Sequence, residues 1–168
     1  MSIGCGDGTE CVSFAKNKHL ELGIDFLVMD YEETSFEDKT FDVIISVMSI
    51  MYKESLTKVL LELKRILKPD GTMIIVVPHP VRKIIKYADF DYFASGLHYE
   101  TWGEVTRYNY YRTIEEYFCL INESGLNVKK LLEPKPQLDE PYPVTNNISE
   151  HLYPHSLVFV LQSIYSNS

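Results

Sequence analysis

Near its start the chain reads Ile3-Gly4-Cys5-Gly6-Asp7-Gly8-Thr9, three glycines at alternating positions after a short apolar opening. No other stretch narrows the fold as much. Glycine lacks a Cβ, so it reaches backbone angles that other residues avoid and lets a ligand lie against the main chain. The residues after Thr9 carry a helical pattern, and a helix N-terminus offers free N–H groups to acidic or polar groups. Strand, glycine turn and helix in that order make a nucleotide-type site. The third glycine comes one residue too early for the G-x-G-x-x-G of dinucleotide binders. A tight turn without a ligand is the plain alternative.

The 168 residues fit one domain with one core, and a hydrophobic content of 45% argues for a folded chain. The formal charge is −8. A surface that tracks phosphates needs clustered Lys and Arg, and the sequence shows no such cluster, which disfavours a nucleic-acid partner. Cys5, Cys11 and Cys119 are odd in number and lack metal-ligand spacing. Reduced thiols, a cytoplasmic setting and no metal centre are therefore expected. No leader pattern opens the chain, and the longest apolar runs are strand-length, so neither secretion nor a membrane span is predicted.

The pattern predicts a very short strand over residues 1–4 and a helix from Thr9 to about Glu21, ended by Gly23. Ile24 to Met29 reads as a strand, and so does Phe41 to Ser46, whose apolar run suits a strand covered on both faces. Leu56, Val59, Leu60, Leu63 and Leu67 recur at helical spacing and predict a helix over 54–67. Lys68-Pro69-Asp70-Gly71 stops it with a turn, and Thr72 to Val77 is the next strand. Residues 81–111 are crowded with aromatics and keep neither the helical nor the strand period. Thr113-Ile114-Glu115-Glu116 opens a helix with a capping box. Leu126–Leu132 and Ser156–Gln162 are predicted strands, joined by a long proline-rich loop over 133–155.

Ile-Gly-Cys-Gly-Asp-Gly-Thr resembles the glycine loop of class I S-adenosylmethionine-dependent methyltransferases. Leu-Lys-Arg-Ile-Leu-Lys-Pro-Asp-Gly-Thr-Met-Ile-Ile-Val-Val resembles that family's helix, turn and fifth strand. Tyr-Arg-Thr-Ile-Glu-Glu-Tyr, Leu-Leu-Glu-Pro-Lys-Pro and Pro-His-Ser-Leu-Val-Phe-Val are similar to the small-molecule "type 11" subgroup. The resemblance runs from Ile3 to Gln162.

It implies an α/β fold: a Rossmann-like, mostly parallel sheet with helices on both faces and an antiparallel last strand beside the fifth. Residues 1–168 would form one domain, with a lid or acceptor-binding segment at about 79–112. The aromatics there either line an acceptor pocket or form the lid's own core. The cofactor would be S-adenosylmethionine, contacted by Gly4, Gly6 and Gly8 around its methionine part. Asp30 and Tyr31 would meet the adenosine, and Ser46, Val47 and Met48 would line the other wall. The acceptor would be a small molecule, methylated by in-line displacement, with His79 or His98 as the group that removes a proton. In relatives a His stands where this chain has Met51, and another where it has Tyr111.

Two departures bear on the fold. Relatives usually carry an acidic residue where this chain has Ser2, and a second strand and helix for which the chain has no room between Thr9 and Gly23. The opening also suggests missing upstream sequence. One expectation is that residues 24–29 fill the vacant second-strand position against residues 1–4, which would bring Asp30 to a ribose. A competing reading is a non-catalytic remnant of the family with weak or no cofactor binding. A dehydrogenase is a more distant alternative.

Overall fold

The computed structural model describes residues 1–4, 25–102 and 104–164. A five-stranded sheet has the order β1-β2-β3-β9-β6. Its strands are β1 (Ser2–Ile3), β2 (Phe41–Val47), β3 (Leu67–Pro78), β6 (Leu126–Leu132) and β9 (Ser156–Ser163). The first three are parallel, and β9 runs antiparallel to both β3 and β6. Four strands therefore point one way and one against them, the mostly parallel sheet with an antiparallel last strand that the sequence implies.

Burial alternates along the sheet. Met73, Ile75 and Val77 of β3 face inward, as do Leu157, Phe159 and Leu161 of β9, while the residues between them are half-buried. The inward face meets helix α1 (Leu56–Ile66), which buries Leu56, Val59, Leu60, Leu63 and Ile66. The three- and four-residue spacing of these side chains gives one apolar stripe, and truncating a fully buried one such as Leu60 to Ala would cost about 2–5 kcal/mol. The Ser55 side chain caps the helix by accepting the Lys58 N–H. Helix α3 (Ile114–Glu123) completes this side, with Tyr117 5.8 Å from the ring of Phe159. Its predicted capping box is present in both directions: Glu116 N–H donates to Thr113 Oγ1 at 3.2 Å, and Thr113 N–H to Glu116 Oε2 at 2.7 Å.

Several expectations change. The Lys68–Gly71 turn is a bulge inside β3: Phe41 pairs with Leu67 and Val43 with Thr72, so the extra residues arch out of the ladder. Gly71 is needed there, because a Cβ on it would stand 2.7 Å from Leu67 Cδ1 and 2.9 Å from the Lys68 carbonyl oxygen. Residues 25–29 are not a strand. Among the described residues β1 pairs with β2 alone, at the edge of the sheet, and Phe26, Leu27 and Val28 are exposed. A strand needs a ladder partner, and a two-residue β1 presents few backbone groups to pair with. The helix expected over 9–21 lies outside the described residues.

The aromatic region has more regular structure than its sequence predicts. Helix α2 (Val81–Lys86) follows β3, and strands β4 (Gly96–Trp102) and β5 (Val105–Tyr111) form an antiparallel hairpin. The proline-rich loop contains a small hairpin of β7 (Val144–Thr145) and β8 (Ile148–Ser149). Asn146 at its tip donates to the carbonyls of Ile85 at 2.7 Å and Lys86 at 2.9 Å, tying the loop to the end of α2.

Candidate functional site

The carboxyl ends of β2 and β3 open into a cavity of about 510 Å³. Ligands in open α/β sheets bind at this end of the strands. Gly4, Val47 and Met48 line the sheet side, and Met51 and Tyr52, from a 3-10 turn at Ile50–Tyr52, continue the wall. Pro78 and His79 come from the end of β3, Arg82, Lys83 and Lys86 from α2, and Glu100 from β4. Residues 107–111 of β5, Arg112 and Tyr117 close the far side.

The sheet side is built tightly. Gly4 has φ +62°. Next to it the Ser49 hydroxyl donates to the Ile3 carbonyl at 3.2 Å and lies 2.7 Å from the Ser46 hydroxyl. Ser46 and Ser49 are both buried, so this pair fastens the start of the glycine loop to the exit of β2. Met48 also has a positive φ, +49°, and its N–H donates to the Val76 carbonyl at 2.9 Å. A non-glycine residue in this region is strained, and such strain gathers at ligand sites.

The sequence-predicted residues divide into groups. Gly4, Val47, Met48 and His79 all line the cavity. Ser46 lies behind that wall with its hydroxyl engaged by Ser49. Tyr31 donates to the Ser49 carbonyl at 3.1 Å, and Lys53 sits 5.0 Å over its ring. Asp30 accepts from Lys53 Nζ at 2.6 Å and from the Glu32 N–H at 2.9 Å; the bond to Lys53 holds its carboxyl below the usual carboxylate range. Asp30 therefore leaves a loop beside the 3-10 turn and not a strand next to β1. His98 is outside the cavity lining; its Nε2 is 2.9 Å from the Ala94 carbonyl, and its ring packs on Phe90 and Tyr111. Gly6 and Gly8 lie outside the described residues.

His79 is 5% exposed and has both ring nitrogens engaged. The Val81 N–H donates to Nδ1 at 3.1 Å, so the proton is on Nε2, which donates to Glu133 Oε1 at 2.7 Å. Glu133 lies just beyond the end of β6, so the imidazole bridges two neighbouring parts of the fold.

Sequence reasoning passes over the charged wall. Glu100 contacts Lys83 and lies 3.4 Å from Lys86. Arg112, 8% exposed, donates to the carbonyls of Tyr110 at 3.2 Å, Lys53 at 3.0 Å and Glu54 at 2.6 Å. Burial pushes the neighbouring Tyr117 phenol up to about 12 and raises Tyr111 as well, so both stay neutral donors at neutral pH. The readable signal for Arg112 was its place directly before the Thr113 cap, at the end of the aromatic run.

The family described as a methyltransferase domain matches residues 1–75. The sterol 4-C-methyltransferase strm-1 of Caenorhabditis elegans is 38% identical over 124 residues, covering 60% of this chain and 35% of that protein. The matched region thus spans about a third of that relative's length. Among solved structures, an S-adenosylmethionine dependent methyltransferase from Mesorhizobium loti superposes with a TM-score of 0.72 at 18% identity, covering 95% of this chain and 88% of the other. A Listeria monocytogenes protein described as an enzyme of the same class gives 0.76 at 19% identity, over 96% and 88% of the two chains. The fold is the one these S-adenosylmethionine-dependent methyltransferases share, a Rossmann-like, mostly parallel sheet with an antiparallel last strand.

Proposed function

We propose that this chain, with the methyltransferase-domain match over residues 1–75 and the methyltransferase fold, transfers a methyl group from S-adenosylmethionine to a small-molecule acceptor. The observation that carries the reading is the cavity at the carboxyl ends of β2 and β3, which joins Gly4, Val47 and Met48 to a wall of tyrosines. S-adenosylmethionine is the cofactor. Gly4 would hold its methionine end, and the tyrosine wall would face its methyl.

In the reaction a lone pair on the acceptor attacks the methyl carbon. The carbon–sulfur bond breaks, its electron pair stays on sulfur, and S-adenosylhomocysteine leaves as a neutral thioether. A proton leaves an oxygen or nitrogen acceptor, and His79, which lines the cavity, takes it at Nδ1 once the Val81 N–H yields that position. The chain contributes chiefly by aligning acceptor, methyl and sulfur, which is worth several kcal/mol when the geometry is held. Tyrosine faces suit a sulfonium better than fixed cations do. Residues 79–112 supply α2 and the β4–β5 hairpin as the acceptor-side cover.

A small acceptor fits the sterol methyltransferase relative, and the formal charge of −8 suits it better than a phosphate-tracking nucleic-acid partner. Among the described residues no helix is long and apolar enough to cross a membrane. The exposed free thiol of Cys119 fits a reducing, cytoplasmic setting.

Thermal unfolding with and without S-adenosylhomocysteine tests the cofactor site. Ligand at 100 times its dissociation constant adds about 2.7 kcal/mol, which for a chain of this size raises the midpoint by roughly 5–10 °C. A cooperative transition that ignores the ligand supports the competing reading of a remnant without a working cofactor site.

A further inference from the structure

We infer that the acceptor is an anion, a small molecule carrying a carboxylate or phosphate on an apolar or aromatic body. This rests on the methyl-transfer reading above and deepens it. The chain has a formal charge of −8, yet the side chains lining its cavity carry five cations, Arg82, Lys83, Lys86, Arg107 and Arg112, against one carboxylate, Glu100. The cations come from α2, the hairpin and the chain leading into α3, whereas Gly4 and Met48 come from the sheet side.

Glu100 is used up by the lysines. It contacts both Lys83 and Lys86 and also accepts from Asn109 Nδ2 at 3.2 Å. Arg112 is in a different position. Its guanidinium is buried and donates to neutral groups, the three main-chain carbonyls and the Tyr117 phenol; the Glu116 carboxylate feels its charge, but no carboxylate stands at ion-pair distance among the described residues. Carbonyls and a phenol orient a guanidinium without cancelling its charge, and a buried charge with no counter-charge in contact is costly. Arg82 lines the same cavity and forms no ion pair with any described residue. An anion entering here meets donors already desolvated and held in place, the arrangement in which Arg recognises carboxylate and phosphate best. The neighbouring tyrosines at 52, 108 and 110 supply aromatic faces for the rest of the molecule.

The test is calorimetric titration of the full chain, at low salt and with S-adenosylhomocysteine present, using 4-hydroxybenzoate, 4-hydroxybenzamide and inorganic phosphate as probes. The expected result is that at least one of the two anions binds and that the carboxylate binds at least tenfold more tightly than its neutral amide. Arg82→Gln and Arg112→Gln should each weaken the anion at least fivefold and leave S-adenosylhomocysteine affinity unchanged. Arg82→Gln alters a partly exposed side chain, so it decides the matter if the buried Arg112→Gln variant does not fold. Binding of neither anion at 10 millimolar, equal binding of the amide, or an Arg82→Gln variant that binds the carboxylate as before overturns the proposal. So does a variant pattern in which S-adenosylhomocysteine weakens and benzoate does not, because the anion held would then be the cofactor's own carboxylate. Anion binding without any S-adenosylhomocysteine binding would instead leave the anion site standing and sink the methyl-transfer reading.

Discussion

Gly4 and Ser49 approach so closely that a Cβ built on Gly4 would stand 2.3 Å from Ser49 Cβ and 2.9 Å from Ser49 Oγ. The contact fixes the first glycine of the loop against the residue whose hydroxyl reaches both Ile3 and Ser46. Gly4→Ala should therefore push Ser49 aside and break that hydroxyl pair. The φ of +62° adds a backbone penalty of about 1–2 kcal/mol for any residue with a Cβ. The expected outcome is a lower unfolding midpoint and at least a tenfold loss of S-adenosylhomocysteine affinity. Ser49→Gly in the same chain removes the clash but not the backbone strain, so the double variant should recover part of the loss. A fully additive pair would show that the close contact carries no energy.

Acid stability should depend on Glu62. Its carboxylate accepts from Arg65 Nε at 2.8 Å, from Arg65 Nη2 at 2.7 Å, and from the Thr34 N–H and hydroxyl at 2.9 and 2.6 Å. These bonds, led by those from Arg65, lower its pKa from 4.5 to about 2. A carboxyl whose folded value is depressed contributes fully above its unfolded value and loses that contribution as pH falls through the folded one. The window is thus from about pH 4.5 down to about pH 2. Solvent screening at the partly exposed Arg65 trims the effect to about 1–2 kcal/mol. Urea unfolding at pH 6 and pH 3 should show Glu62→Gln losing less stability on acidification than the parent chain. Equal losses would mean that Glu62 is not the responsible group.

The sequence reveals elements whose side chains meet the core and hides those whose side chains meet the cavity. Helix α1 was readable because Leu56, Val59, Leu60 and Leu63 all turn toward β3. The α3 cap was readable because Thr113 and Glu116 act locally. Strand β4 was not, because its alternation is inverted. His98 and Glu100 turn inward and are half-buried, while Leu97 and Tyr99 are 46% and 68% exposed. A strand whose inner face meets lysines does not show the usual apolar-in pattern. Residues 25–29 mislead in the opposite way, having strand composition without a strand to pair with. For the site, the glycine-loop resemblance and the expectation that ligands gather at strand ends name Gly4, Val47, Met48 and His79, and all four line the cavity. Arg112 was hidden because its burial depends on the carbonyls of Lys53 and Glu54, nearly sixty residues away.

Gly71→Ala should destabilise the chain, because the residue is buried within the bulge of β3. The added Cβ would meet Leu67 Cδ1, which is packed in the core, and the Lys68 carbonyl, which is main chain and cannot rotate away. Overpacking of this kind costs about 1–3 kcal/mol. Chemical denaturation should register the loss in the midpoint with little change in slope. Asp70→Ala, one residue earlier in the same bulge, is a matched control and should stay within about 0.5 kcal/mol of the parent, as surface changes usually do.

His79 should hold a single neutral tautomer. The Val81 N–H cannot donate to a nitrogen that already carries a proton, so Nδ1 is bare and Nε2–H points at Glu133. A long-range ¹⁵N–¹H spectrum of the folded chain should show a pyrrole-like Nε2 and a pyridine-like Nδ1 for this residue. A protonated Nδ1 would contradict the arrangement. Glu133→Leu leaves the buried Nε2–H without its acceptor and should cost about 1–3 kcal/mol, with the tautomer held less firmly; Glu133→Gln, which still offers a side-chain oxygen, should restore most of it. The result matters for catalysis because the bare Nδ1 is the lone pair that an acceptor's proton would occupy. If His79 serves as the base, the Val81 N–H must yield that position, and a bound acceptor should weaken the Val81–His79 hydrogen bond as read by faster amide exchange at Val81.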